Sequence, residues 1–255
     1  MLNDKVAVIY GGAGSLGAGI AKAYAQAGAR VFLVGRTEAT LKNVATKIGA
    51  EYDVLDARDE QAVEAHASSV AERAGGIDVS FNLVPRGDLQ GVPLTEMSVE
   101  DYTRPVVQGL ACQFITARAA ARRMVAQGSG VILALDSASA NGSPMMGGTG
   151  AADGAIDALV RQLAQETGSA GVRVCGIWTA GVADSLTPQK LVAAGGPVMD
   201  DASLRGVLSH LDSLRMTKRS PRIADIAALA TFLASDAGAA ITGTWVNATA
   251  GMFPS

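Results

Sequence analysis

By type and spacing, the residues most able to do chemistry are the glycines of Gly11-Gly12-Ala13-Gly14-Ser15-Leu16-Gly17. They follow a short apolar run, Val6-Ala7-Val8-Ile9-Tyr10, and precede a stretch with helical periodicity. A strand that turns on glycines into a helix brings bare backbone and first-turn N–H groups up to a pyrophosphate. Gly11, Gly14, Ser15, Leu16 and Gly17 are therefore candidate dinucleotide ligands, and Ser15 adds a hydroxyl donor. A second apolar run ends in Val34-Gly35-Arg36. An acidic residue there would hold the ribose 2′-hydroxyl of NAD. Arg36 instead suits a 2′-phosphate and can stack on adenine, so NADP is favoured over NAD. Asp53-Val54, closing the third run, is placed to meet the adenine edge.

Such groups need strands to aim them. Buried strands are read at 6–10, 31–34, 51–54, 79–82, 130–135, 172–177 and 243–248. Helical stretches fall between them, at about 16–28, 38–48, 59–74, 98–126, 149–167 and 223–235. Strands alternating with helices argue a parallel sheet covered on both faces. The fold class expected is α/β: a Rossmann-type, doubly wound parallel sheet of about seven strands. One domain spans 1–255, with an irregular substrate lid at about 181–221.

Composition excludes several function classes. The net charge of −3 leaves no footprint for nucleic acid or an acidic membrane. No window approaches the ~18 apolar residues of a membrane span, and the first residues lack signal-peptide form, so a soluble cytoplasmic protein is expected. Cys112 and Cys175 read as buried thiols in a reducing compartment. The two histidines, His66 and His210, are too far apart to suggest a metal site, and none is expected. His66 reads as a surface residue on a charged helix, and Trp178 as a cleft wall or core residue.

The glycine turn, Asp53-Val54, Gly76-Ile77-Asp78-Val79, Ser137 after the fifth strand and the closing Ile241-Thr242-Gly243 occur in an order that resembles the short-chain dehydrogenase/reductase family along nearly the whole chain. The resemblance implies a seven-stranded sheet and hydride transfer between a nicotinamide and an alcohol or carbonyl. It also implies a Ser, an Asn, and a Tyr with a Lys four residues later, the Lys lowering the pKa of the Tyr that gives the proton. Here Ser137 matches the Ser, but Thr149 stands at the Tyr position, Asp153 at the Lys position and Gly109 at the Asn position. After the fourth strand only Asn82 of an Asn-Asn-Ala-Gly step is kept, in Asn82-Leu83-Val84-Pro85. The catalytic candidates are Ser137, Thr149 and Asp153, and Asn82 joins the cofactor-binding set.

Three readings follow. The first is an atypical NADP(H)-dependent oxidoreductase that reduces a carbonyl or enone of a small molecule. Ser137 then polarises the substrate, and a water, Thr149 or a carboxylate (Asp136, Asp153 or Asp184) supplies the proton. The second is a catalytically silent NADP(H)-binding scaffold or sensor. The third is a non-redox lyase or isomerase using Ser137 with Asp136 and Asp153, since paired carboxyls in an apolar cleft can split into acid and base. The resemblance further implies a homotetramer, with a dimer as the smaller assembly, built on the helices at about 98–126 and 149–167.

Overall fold

The computed structural model describes residues 1–193 and 196–254; residues 194 and 195 of the expected lid, and residue 255, lie outside the described residues. The strands are β1 (Val6–Tyr10), β2 (Arg30–Gly35), β3 (Glu51–Val54), β4 (Val79–Asn82), β5 (Gly130–Asp136), β6 (Val172–Trp178) and β7 (Trp245–Asn247). They form one parallel sheet of seven strands in the order β3-β2-β1-β4-β5-β6-β7. The helices are α1 (Ser15–Gln26), α2 (Glu38–Ile48), α3 (Glu60–Ala74), α4 (Val99–Gln127), α5 (Thr149–Thr167), α6 (Pro188–Ala193), α7 (Asp201–Ser213) and α8 (Ile223–Ala234).

Successive strand residues feed opposite faces of the sheet, as the pleat requires. Val6, Val8 and Tyr10 of β1 join Phe32, Val34 and Ile132 in a core under α3, α4 and α5. Ala7 and Ile9 join Leu33, Phe81 and Leu133 in a second core under α1, α2 and α8. Burial on both sides is why these strands read as unbroken apolar runs rather than alternating ones. The order reverses between β1 and β4, and ligands of such sheets bind at the carboxyl ends of strands flanking that switch point.

The segment expected as a lid holds a short 3-10 turn, Ala183–Ser185, then α6 and α7. Its root is tied by the buried Arg215, whose guanidinium donates to the carbonyls of Ala180, Gly181 and Leu211. Among the described residues no helix is long and apolar enough to cross a membrane. Both cysteines are buried and free. His66 departs from the sequence reading: it is 6% exposed, packs edge-on against Tyr10, and faces Asp53 through Nε2 at 3.2 Å. The charged residues of α3 lie on its outer side, and position 66 shares the inner face with Val63, Ala67 and Val70.

Candidate active site

At the carboxyl ends of β1, β2 and β4 lies a cavity of about 470 Å³. Its floor is the glycine turn. The amides of Gly11 and Gly12 both donate to Val34 O, at 2.8 and 3.2 Å, pinning the turn to β2. Gly11 sits at φ +75°, and a Cβ there would press on the Leu83 carbonyl at 2.7 Å. A Cβ on Gly17 would collide with the Gly11 carbonyl oxygen. Glycine is thus required for the chain to turn this tightly into α1, whose first-turn amides have no partner within the helix. Gly14 is the N-cap and uses no side chain for capping. Ser15 at the helix start accepts a hydrogen bond from Lys190 Nζ of α6 at 2.5 Å.

Gly11, Gly14, Arg36, Thr37 and Thr40 line this first cavity, opposite Asp56, Ala57 and Arg58. Arg58 forks onto Asp56 at 2.8 Å, which holds that carboxyl down at about 2. The expected Asp53-Val54 step requires correction, because neither residue lines the cavity. The Asp53 carboxylate is taken by Arg73 at 2.9 Å and faces His66, while Val54 is half exposed at the strand end. The chain crosses the cleft three residues later, at Asp56-Ala57. A second Asp-x step three residues past the first was the available signal, and only the end of β3 discriminates the two.

A second cavity of about 290 Å³ lies beside the first, and Leu83, Val84 and Pro85 line both. Leu16, Asn82, Arg86, Asp88, Gly109, Asp136 and Ser137 are in its wall. Asn82 is buried; its Oδ1 accepts from Val84 N at 3.0 Å and shapes the loop after β4. The three expected catalytic residues converge here in an unforeseen way. Asp153 is 0% exposed and does not reach solvent. Its Oδ2 accepts from Ser137 Oγ at 2.6 Å and Ser139 N at 2.9 Å, and its Oδ1 pairs with Arg86 at 2.7 Å. Thr149, also buried, donates to Asp88 Oδ1 at 2.9 Å, and the other arm of Arg86 reaches Asp88 at 3.2 Å.

Arg86 escaped the sequence reading. It fits because position 109 has no side chain: a Cβ on Gly109 would lie 2.5 Å from Arg86 Cδ. A buried Asp153 demands a cation, and the glycine on α4 vacates the volume through which one arrives. The signal available was a carboxylate at the Lys position together with a missing side chain at 109.

Asp136, at the end of β5, is 3% exposed. Its Oδ1 accepts from Ala138 N at 3.0 Å, and its carboxyl shares a hydrogen bond with that of Asp157. Burial first, then the Asp153 anion, pushes its carboxyl up to about 9. Asp157, one turn beyond Asp153 on α5, titrates with it and is also raised, chiefly by burial. Trp178 Nε1 faces Asp157 at 3.5 Å while its ring stacks on Trp245. Near neutral pH the strand end therefore carries a protonated acid at the cavity wall. Among the described residues no metal-binding cluster occurs.

Known proteins resemble this chain along nearly its whole length. The model of a family described as enoyl-(acyl carrier protein) reductase matches residues 11–253. The D-threitol dehydrogenase of Mycolicibacterium smegmatis is 32% identical, over 95% of this chain and 90% of its own. The short-chain dehydrogenase reductase ATA1 of Arabidopsis thaliana is 32% identical, over 95% of this chain and 90% of its own. Among solved structures, levodione reductase superposes with a TM-score of 0.87 at 26% identity, covering 98% of each chain.

Proposed function

The chain belongs to the short-chain dehydrogenase/reductase family, and from that premise we propose that it is an NADP(H)-dependent oxidoreductase acting on a polar double bond of a small molecule, of carbonyl or enone type. The observation that carries this reading is the pair of adjoining cavities. One has the glycine turn, Arg36 and Thr37 in its wall, and the other has Ser137 and Asp136. The residues fit a dinucleotide. Gly11, Gly14, Ser15, Leu16 and Gly17 supply close backbone and amides for the pyrophosphate. Arg36, with Thr37 and Thr40 beside it, supplies charge and hydroxyl donors for a 2′-phosphate, and no carboxylate ends β2. Val34, Gly35 and Leu55 leave a flat apolar slot for adenine, with Asp56 and Ala57 at its edge. When bound, the cofactor supplies or accepts a hydride.

The proton then comes from this chain's own residues. Thr149 is too weak an acid and is spent on Asp88. Asp153 is closed off by Arg86, Ser137 and Ser139, which makes it a positioning residue that holds Ser137. Asp136 has the right protonation state and lines the substrate cavity. An acid whose pKa lies near the working pH is the effective donor. The segment 181–221 forms the lid, since Gly181, Val182, Ser185 and Leu186 all face this cavity. The family's tetramer suits α4 and α5, which pack side by side and leave Val107, Phe114 and Val125 of α4 exposed.

Titration calorimetry with NADPH and NADH tests the reading. NADPH is expected to bind at least ~tenfold tighter, with Arg36→Ala removing the difference. Equal or tighter NADH binding, or no binding of either, overturns it. Tight NADPH binding with no oxidation of NADPH across carbonyls, enones and imines would turn the reading to the silent scaffold.

A further inference from the structure

The two cavities adjoin at the start of α1. Gly14 lines the first and Leu16 lines the second, so Ser15 sits at their junction. A lysine from the segment expected as a lid reaches this point. Lys190 Nζ of α6 donates to Ser15 Oγ at 2.5 Å and to Ser185 O at 2.7 Å. The reach is built locally. Thr187 Oγ1 accepts from Lys190 N at 3.3 Å, and Thr187 O accepts from Leu191 N at 3.1 Å, which sets the turn that carries Lys190. Ser185 and Leu186, just before that turn, line the second cavity. Asp184 is engaged elsewhere, its Oδ1 accepting from Ile223 N at 2.8 Å.

Both partners of the Lys190 ammonium are neutral. Among the described residues no carboxylate pairs with it, and partial burial lowers its pKa. An ammonium has three donors, so one N–H stays available. Ser15 Oγ accepts from the lysine, which leaves its own proton free to donate as well. The cations in the two cavity walls are placed differently. Arg58 is held by Asp56, Arg86 by Asp88 and Asp153, and Arg36 stands at the end of β2. Lys190 is thus the charge that stands over the junction.

We propose that Lys190 is a cofactor ligand that binds the pyrophosphate of the dinucleotide at Ser15, so that the segment 185–193 is held by cofactor as well as by substrate. The inference rests on the oxidoreductase reading and adds a residue to its cofactor site. A dinucleotide with its adenosine in the first cavity and its nicotinamide in the second carries its pyrophosphate past Ser15. The α1 amides offer that anion only partial charge. Lys190 offers a whole one, in a charge-assisted hydrogen bond. Its link to Ser185 O then fixes part of the substrate cavity's wall. The pyrophosphate is common to NAD and NADP, so Lys190 serves both alike, whereas Arg36 separates them.

Calorimetry with NADPH, NADH and adenosine 2′-monophosphate tests this. The last has adenine and a 2′-phosphate but no pyrophosphate. Lys190→Met, with an unchanged melting temperature, is expected to weaken both dinucleotides by about tenfold, the size of one charge-assisted hydrogen bond, and to leave the monophosphate within about twofold. Lys190→Arg keeps the charge and is expected to stay within about threefold of the parent. Hydrogen exchange gives a second readout. Saturating NADPH is expected to slow exchange of the 186–193 amides in the parent and not in Lys190→Met. Unchanged dinucleotide affinity in Lys190→Met overturns the proposal. So does an equal loss for the monophosphate, which would assign the lysine to the shape of the glycine turn, or exchange slowed alike in both proteins. Tighter NADH than NADPH binding by the parent, with the Lys190→Met loss intact, would instead remove the NADP assignment and leave the pyrophosphate contact. Binding of neither dinucleotide to the parent overturns both readings.

Discussion

At the scale of single residues, the site is governed by a charge reversal and its compensation. Asp153, which the sequence reading sets at the family's lysine position, is reached by Arg86 from the opposite wall through space that Gly109 leaves open. A fully buried carboxylate that loses its only close guanidinium is expensive, because neither water nor a counter-ion replaces it. Arg86→Met is therefore expected to lower the unfolding free energy by about 3–5 kcal/mol in urea titration. Adding Asp153→Asn to that background should recover more than half of the loss. If the double variant is as unstable as the single one, the pair is not what Arg86 contributes. Ser137 was foreseen as a substrate-polarising hydroxyl, but its proton is committed to Asp153. Thr149, foreseen as one of the proton donors, is likewise spent on Asp88, which is why the proposed function gives that role to Asp136.

At the scale of elements, strand ends decide which side chains line the first cavity. β3 stops at Val54, and Asp53 is turned toward α3, where Arg73 and His66 hold it. Asp56 and Ala57 follow where the chain crosses the cleft. Asp53→Ala is expected to leave NADPH affinity within about twofold, since a part-exposed ion pair far from the ligand contributes little to it. Asp56→Asn should change that affinity several-fold, because it frees Arg58 beside the slot. The reverse ranking, read by calorimetry, would restore the earlier Asp-Val step as the adenine contact. In both the strands and the cleft, the apolar runs were legible as elements, but a run of four residues does not announce where it ends.

At the scale of the whole molecule, stability should carry two opposed pH dependences. The Asp136 carboxyl, with Asp157 beside it, is raised in the fold to about 9 from an ordinary 3.8. Its contribution is fully present below the ordinary value and is lost as pH rises through the folded one. His66 is held low in the fold, first by burial, so the fold loses stability as pH falls below its ordinary 6.5. Melting temperatures should therefore fall as pH rises from 3.8 to about 9 in the parent protein and fall less in Asp136→Asn. The acid-side decline should soften in His66→Gln. An alkaline slope that is identical in the parent and Asp136→Asn would show that this carboxyl is not the buried acid.

The sequence by itself determined the parallel α/β sheet and the glycine turn after the first strand. Those follow from period, run length and the bare backbone that a tight strand-to-helix turn demands, all of which are local. Only the tertiary structure decided that Arg86 neutralises Asp153, that Asp56 rather than Asp53 meets the cleft, and that His66 is buried. Those depend on which side chains share a volume across 67 positions of chain in the first case, and no local pattern encodes a vacancy such as the one at Gly109. Burial then sets the protonation of Asp136, because desolvation depends on everything packed around the carboxyl and not on its neighbours in sequence.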